Sequence, residues 1–214
     1  MTGFRIIPDV LTNSLGELEE KITVAAKLTD RLHVDVIDGV FAENKTLMPK
    51  DLVRVGWRGM KVDVQLMTDE PSDYLRTLQK AQVDRVFGHV EMMKSRSKFI
   101  GDCLKLNLVP GWGINIETEL ESFSENELDQ VEAVILMSVK VGFSGQEFDD
   151  GVLVKIVELR KMGFEGDVVV DGGMKMDSIP LVLEAGANQF AVNSGLWQTD
   201  EVEKRYQLLN ELLP

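Results

Sequence analysis

Leu32-His33-Val34-Asp35-Val36-Ile37-Asp38-Gly39 places an imidazole and a carboxylate two residues apart inside a short apolar, β-branched run. Val and Ile favour the pleated state, so 32–37 reads as a strand. Residues two apart on a strand point to the same side, so His33 and Asp35 share a face. Polar side chains inside an apolar strand are costly unless they are paired or bind something. The couple reads either as part of a metal site or as two groups satisfied by local hydrogen bonds. Seven further runs share the texture of this one: 4–11, 60–67, 85–91, 108–114, 133–139, 167–170 and 189–193. Between them, stretches rich in Glu, Lys and Leu predict helices over 15–28, 50–55, 71–81, 95–106, 117–128, 151–162, 177–185 and 200–213. Ser14 and Glu17 have capping-box spacing, Pro71 suits a first helical position, and Gly163 and Gly186 fall where helices end. Eight strands alternate with eight helices at about 27 residues per unit, which favours a closed (β/α)8 TIM barrel over an open doubly wound sheet. Residues 1–214 therefore read as a single domain with no linker or low-complexity stretch.

Charge narrows the function classes. With 23 Lys and Arg against 36 Asp and Glu, the formal charge is −13, which argues against sequence-independent nucleic-acid binding. A phosphorylated small molecule stays open, because backbone N–H groups hold a phosphate whatever the net charge. No apolar run approaches the ~18 residues of a membrane span, so no membrane partner is expected. The opening Met1-Thr2-Gly3-Phe4-Arg5 lacks a signal-peptide pattern, and a cytoplasmic location is the expectation. Cys103 is the single cysteine, which excludes an internal disulfide and a cysteine zinc cluster; it reads as core.

In such a barrel the site forms at the carboxyl ends of the strands. Asp9, His33, Asp35, Gln65, Met67, His89, Met137, Lys140, Asp171 and Asn193 stand at or near those ends. Asp171 follows three valines and precedes Gly172-Gly173. It reads as a turn former or as a partner of Asp35 from across the barrel. Gly142-Phe143-Ser144-Gly145-Gln146, Gly172-Gly173 and Asn193-Ser194-Gly195 are turns that also let backbone approach an anion, and barrel phosphate sites use the last loops.

Taken in order along nearly the whole chain, His33-Val-Asp-Val-Ile-Asp-Gly39, Leu66-Met67, His89-Val-Glu91, Leu136-Met-Ser-Val139, Gly142-Phe-Ser-Gly-Gln146 and Val170-Asp-Gly-Gly173 resemble the ribulose-phosphate 3-epimerases. The resemblance implies a ribulose-phosphate-binding barrel that inverts C3 of a ketose phosphate, with Asp35 and Asp171 as acid and base. It implies a divalent metal (Zn, Fe, Mn or Co) on His33, Asp35, Asp171 and, where the family has a second histidine, Gln65. Asp9 stands in place of a family serine and is a compensating ligand or a turn residue beside Pro8. Met67 and Met137 match methionines that pack around the reacting centre, and core packing is their plainer role. Ile37 stands where a third would be. Asp9, Met67, Met137, residues 142–146, Gly172, Gly173, Asn193 and Ser194 are then the expected substrate contacts. Lys140-Val141 replaces the family's Asn-Pro, and Asn193-Ser194 its Gly-Ser.

A phosphorylated sugar is the expected small-molecule partner, and the family is often homo-oligomeric. Two other readings stay open: a phosphosugar-binding barrel without turnover, and an aldolase-like enzyme using Lys140 as a Schiff base, which would require its burial. His89 reads as structural or substrate-facing.

Overall fold

The computed structural model describes residues 3–214. Met1 and Thr2, the start of the single-domain reading, lie outside the described residues. Eight parallel strands close on one another in chain order: β1 Arg5–Val10, β2 Arg31–Ile37, β3 Lys61–Met67, β4 Arg85–His89, β5 Val109–Ile114, β6 Ala133–Met137, β7 Asp167–Asp171 and β8 Gln189–Val192. The outer layer comprises α1 Leu15–Ala25, α2 Pro49–Leu52, α3 Leu75–Lys80, α4 Arg96–Lys105, α5 Glu125–Leu128, α6 Gly151–Lys161, α7 Ile179–Ala185, α8 Ser194–Trp197 and α9 Val202–Asn210. The expected TIM barrel is the observed fold. No helix among the described residues is long and apolar enough to cross a membrane.

Alternation along each strand builds two cores. Leu32, Val34 and Val36 of β2, Val134 and Leu136 of β6, and Val168 and Val170 of β7 join the large cluster between sheet and helices. The opposite faces turn into the barrel, where Phe87, Ala133, Ile135, Val169 and Ala191 form a small apolar plug. Below the plug lies a buried ionic floor. Asp63 accepts from both Arg31 and Arg85, Arg85 also donates to Gln189 (2.9 Å), and Arg31 donates to Asp84 (2.9 Å). Above it stand the polar residues of the site.

Several elements differ from the expected bounds for local reasons. The strand expected over 85–91 stops at His89, and Val90–Met92 turns as 3₁₀ helix. The Glu91 carboxylate there accepts from Asn115 N (2.7 Å) and the Thr118 hydroxyl (2.6 Å). The helix expected over 117–128 is a 3₁₀ turn, Leu120–Ser122, followed by α5. Ser124 restarts it, because Glu127 takes both its N–H and its hydroxyl (3.0 Å each). Ser14 caps α1 by accepting from Glu17 N (3.3 Å), but the Glu17 carboxylate binds Thr12 and Lys21 instead of completing the box. The short α8 has no counterpart in the helices read from periodicity. Gly186 ends α7 with φ +115°, a conformation glycine adopts without strain.

Candidate functional site

The strand register brings the polar side chains together. Asp9 pairs with His33 across β1 and β2, Asp35 with Gln65 across β2 and β3, and Met137 with Asp171 across β6 and β7. With β2 and β7 separated by β1 and β8, Asp35 and Asp171 enter from well-separated parts of the rim. Thr46 fixes the end of β2: its hydroxyl donates to Asp35 O (2.8 Å) and accepts from Ile37 N (2.9 Å). This residue escaped the sequence reading, because nothing in the irregular 38–48 segment marks it.

A cavity opens above these residues, with about 460 Å³ of empty space including its mouth. Asp35 and Asp171 line it, as do Asp9, Met67, Met137, Gly142, Phe143, Ser144, Gly145, Gln146, Gly172, Gly173, Asn193 and Ser194. Every expected substrate contact therefore faces one space. Leu11, Val139, Val141, Met174 and Ala191 complete the wall and carry no polar signal in the sequence. Lys140 is exposed and does not line this cavity, so it lacks the burial that an imine-forming lysine requires.

The loops around the mouth are tied to one another. Asn44 donates to Gly142 O (2.7 Å), and Gln146 donates to Lys140 O (2.7 Å) and Phe143 O (2.8 Å). Ser144 donates to Asn193 Oδ1 (3.2 Å), and Asn193 donates to Asp9 Oδ2 (3.0 Å). Gly173, at φ +59°, packs so closely that a Cβ would meet Phe148 backbone at 2.8 Å. Glycine is therefore a packing requirement at this position.

The electrostatics are dominated by three buried carboxyls. Burial pushes Asp9 up to about 7, with repulsion from Asp35 adding to it. Burial likewise raises Asp35 to about 7. Asp171 lies well above the usual carboxylate range, first through burial and then through repulsion from Asp35 and Asp9. Such groups hold protons near neutrality unless a cation replaces them.

The residues fit a divalent cation. Asp9 Oδ1, Asp35 Oδ1 and His33 Nδ1 are buried without a hydrogen-bond partner. One ligand atom each from Asp9, His33 and Asp35 lies within 4.8 Å of the others. Gln65 sits beside them with its oxygen 3.0 Å from His33 Nε2, which is 3.5 Å from Asp35 Oδ1. Asp171 is outside that tight group. His33 and Gln65 lie beneath the cavity and do not form its wall.

Comparison with known proteins agrees with this geometry. The model of the ribulose-phosphate 3 epimerase family matches residues 5–197. The ribulose-phosphate 3-epimerase of Bacillus subtilis (strain 168) is 31% identical over 207 residues, covering 94% of this chain and 95% of that protein. The ribulose-phosphate 3-epimerase of Synechocystis sp. (strain ATCC 27184 / PCC 6803 / Kazusa) is 34% identical over 201 residues, covering 90% and 86%. Among solved structures, a mutant tryptophan synthase alpha-subunit from Pyrococcus furiosus superposes with a TM-score of 0.71 at 12% identity, covering 99% of each chain, a likeness of fold alone. With a family match running from β1 into α8 and relatives aligned over nearly their full lengths, the chain belongs to the ribulose-phosphate 3-epimerase family.

Proposed function

We propose that this chain is an epimerase that inverts C3 of a ketose phosphate, interconverting D-ribulose 5-phosphate and D-xylulose 5-phosphate. The observation that carries the proposal is the pair Asp35 and Asp171, buried on β2 and β7 at one cavity and both raised in pKa. C3 lies beside the C2 carbonyl, so its proton is acidic enough for a carboxylate to remove, leaving an enediolate. Inversion requires a second carboxyl, protonated, to deliver a proton to the opposite face. Two carboxyls that repel one another divide naturally into one ionised and one protonated group.

Asp9, His33 and Asp35, with Gln65 beside them and Asp171 outside that tight group, would hold a divalent cation (Zn, Fe, Mn or Co), whose charge would stabilise the enediolate. The substrate phosphate belongs at the loops after β6, β7 and β8. Ser194 and Gly195 open α8, so their N–H groups have no acceptor within the helix. The Ser144 hydroxyl faces the same end of the cavity. Met67 and Met137 cover the reacting carbons with apolar surface.

The assay is conversion of D-ribulose 5-phosphate by chelated protein resupplied with one cation at a time. Cation-restored turnover is expected; a silent enzyme with every cation, alongside turnover of a six-carbon ketose 6-phosphate, would shift the substrate.

A thermal measurement tests the carboxyl cluster without substrate. Asp9 and Asp35 rise from about 3.9 in an unfolded chain to about 7 in the fold, so folding takes up protons. Their contribution is fully present below the unfolded value and is lost as pH rises through about 7. Chelated protein should therefore lose Tm between about pH 5 and 8. Mn²⁺ at a hundred times its Kd should restore about 2.7 kcal/mol at the upper pH and much less at the lower. A Tm indifferent to cation at the upper pH contradicts a cation site at this cluster.

A further inference from the structure

Gln65 is buried completely, and both ends of its amide are engaged. Its oxygen lies 3.0 Å from His33 Nε2. Its nitrogen lies 2.9 Å from His89 Nε2 and 3.0 Å from the Met137 sulfur. The other ring nitrogen of His89, Nδ1, lies 3.2 Å from Glu91 Oε2. Four side chains on three strands and a turn therefore form one unbroken line, Glu91–His89–Gln65–His33. Such a line has a direction, because each amide or neutral imidazole donates at one end and accepts at the other.

The direction is set at Glu91. Its carboxylate already accepts from Asn115 N (2.7 Å) and the Thr118 hydroxyl (2.6 Å), the pattern of an ionised group. An ionised carboxylate only accepts, so His89 must place its proton on Nδ1. His89 Nε2, 2.9 Å from the Gln65 nitrogen, then supplies the lone pair that takes a hydrogen from the Gln65 NH₂. The Met137 sulfur is also an acceptor, which favours the same orientation. The Gln65 oxygen is left pointing at His33, whose proton goes to Nε2. His33 Nδ1 keeps its lone pair, and it is the nitrogen that has no protein partner.

The fold makes room for this line. A Cβ on Gly113 of β5 would lie 2.6 Å from His89 Cδ2 and 2.9 Å from its Nε2. Phe41 closes the other side of the ring, edge-on at 4.9 Å.

We infer that His89 and Glu91 are positioning residues that fix the Gln65 amide oxygen toward His33 and the carboxylate cluster, and so hold His33 in the Nε2–H form. With the amide reversed, an NH₂ would point into a cluster suited to a cation. The consequence for cation binding rests on the function proposed above; the two tautomers do not.

The chain has two histidines, so ¹⁵N NMR of imidazole-labelled, chelated protein reads the line directly. The expected spectrum has His89 as the Nδ1–H and His33 as the Nε2–H tautomer. Glu91→Gln and, separately, Gly113→Ala, which crowds His89 without touching Glu91, should each move His33 off a single Nε2–H form. Thr118→Val removes a different hydrogen bond to Glu91 and should leave both tautomers as they are.

Mn²⁺ affinity measured by calorimetry should fall roughly 10–100-fold in Glu91→Gln. In a Gln65→Glu background, where either rotation presents an oxygen, the same change should cost less than about threefold. His89 found as Nε2–H in the parent protein overturns the inference, as does a His33 tautomer that ignores both Glu91→Gln and Gly113→Ala. An Mn²⁺ affinity loss of equal size in the Gln65→Glu background also overturns it. If the tautomers are as expected and no cation binds, the proposed function fails and the positioning role stands.

Discussion

Asp171→Asn is expected to slow interconversion of ribulose 5-phosphate and xylulose 5-phosphate by a factor of roughly 10²–10⁴, while chelated protein stays at least as heat-stable as the parent. Asparagine keeps the shape but neither takes nor gives a proton, so the general acid–base contribution is lost, about 3–5 kcal/mol of barrier. Stability moves the other way because Asp171 is buried among like charges. Its carboxyl is held above the usual range first by burial and then by Asp35 and Asp9, so an uncharged amide there avoids the cost of ionising a buried carboxyl. The local fold leans on its backbone instead: Asp171 O accepts from Ser138 N (2.8 Å) and the Ser138 hydroxyl (3.0 Å), which the substitution leaves in place. Steady-state kinetics and calorimetry on the same preparation separate the two effects. A loss of turnover matched by a fall in Tm would mean that Asp171 is structural; parent-like turnover would remove it from the chemistry.

The second large effect lies at the opposite end of the barrel. Asp63 has no exposed side-chain surface and bridges Arg31 and Arg85. Asp63→Ala leaves two guanidiniums sharing Asp84, Asp167 and Gln189 without their central anion. Breaking a buried pair by removing one partner costs roughly 3–5 kcal/mol. For a domain of this size that lowers Tm by roughly 6–20 °C. The apolar plug of Phe87, Ile135 and Val169 separates floor from site, so KM and kcat measured well below the new Tm should stay near the parent values. A Tm within about 2 °C of the parent would show that the floor charges are satisfied without Asp63.

Much of this organisation is visible in the sequence because strands buried on both faces read as short, nearly continuous apolar runs, in which an interrupting polar residue stands out. Val168-Val169-Val170 ending on Asp171, and His33 and Asp35 on one face of β2, mark the rim in the sequence itself. Shorter-range competition was harder to read. Glu91 lies in what resembles a continuing strand, yet its carboxylate finds Asn115, Thr118 and His89, and the strand ends two residues earlier than expected. Ser124 and Glu127 split one amphipathic stretch into two short helices through a local cap.

The site shows the same division. Asp9 was readable as a ligand or a turn residue, and the structure places its unpartnered Oδ1 in a buried cluster with His33 and Asp35. The Gln65 amide was readable only as a substitute for a histidine. Its ties to His33, His89 and Met137 depend on rotamers from β2, β3, β4 and β6, and no spacing in the chain encodes them.

The central claim is proton exchange at C3 between two aspartates, and ¹H NMR of D-ribulose 5-phosphate in D₂O with cation-loaded protein tests it most directly. Xylulose 5-phosphate should appear carrying deuterium at C3, and Asp35→Asn and Asp171→Asn should each suppress its formation. Product that retains its original proton at C3, or undiminished product in either variant, would contradict a two-aspartate epimerisation.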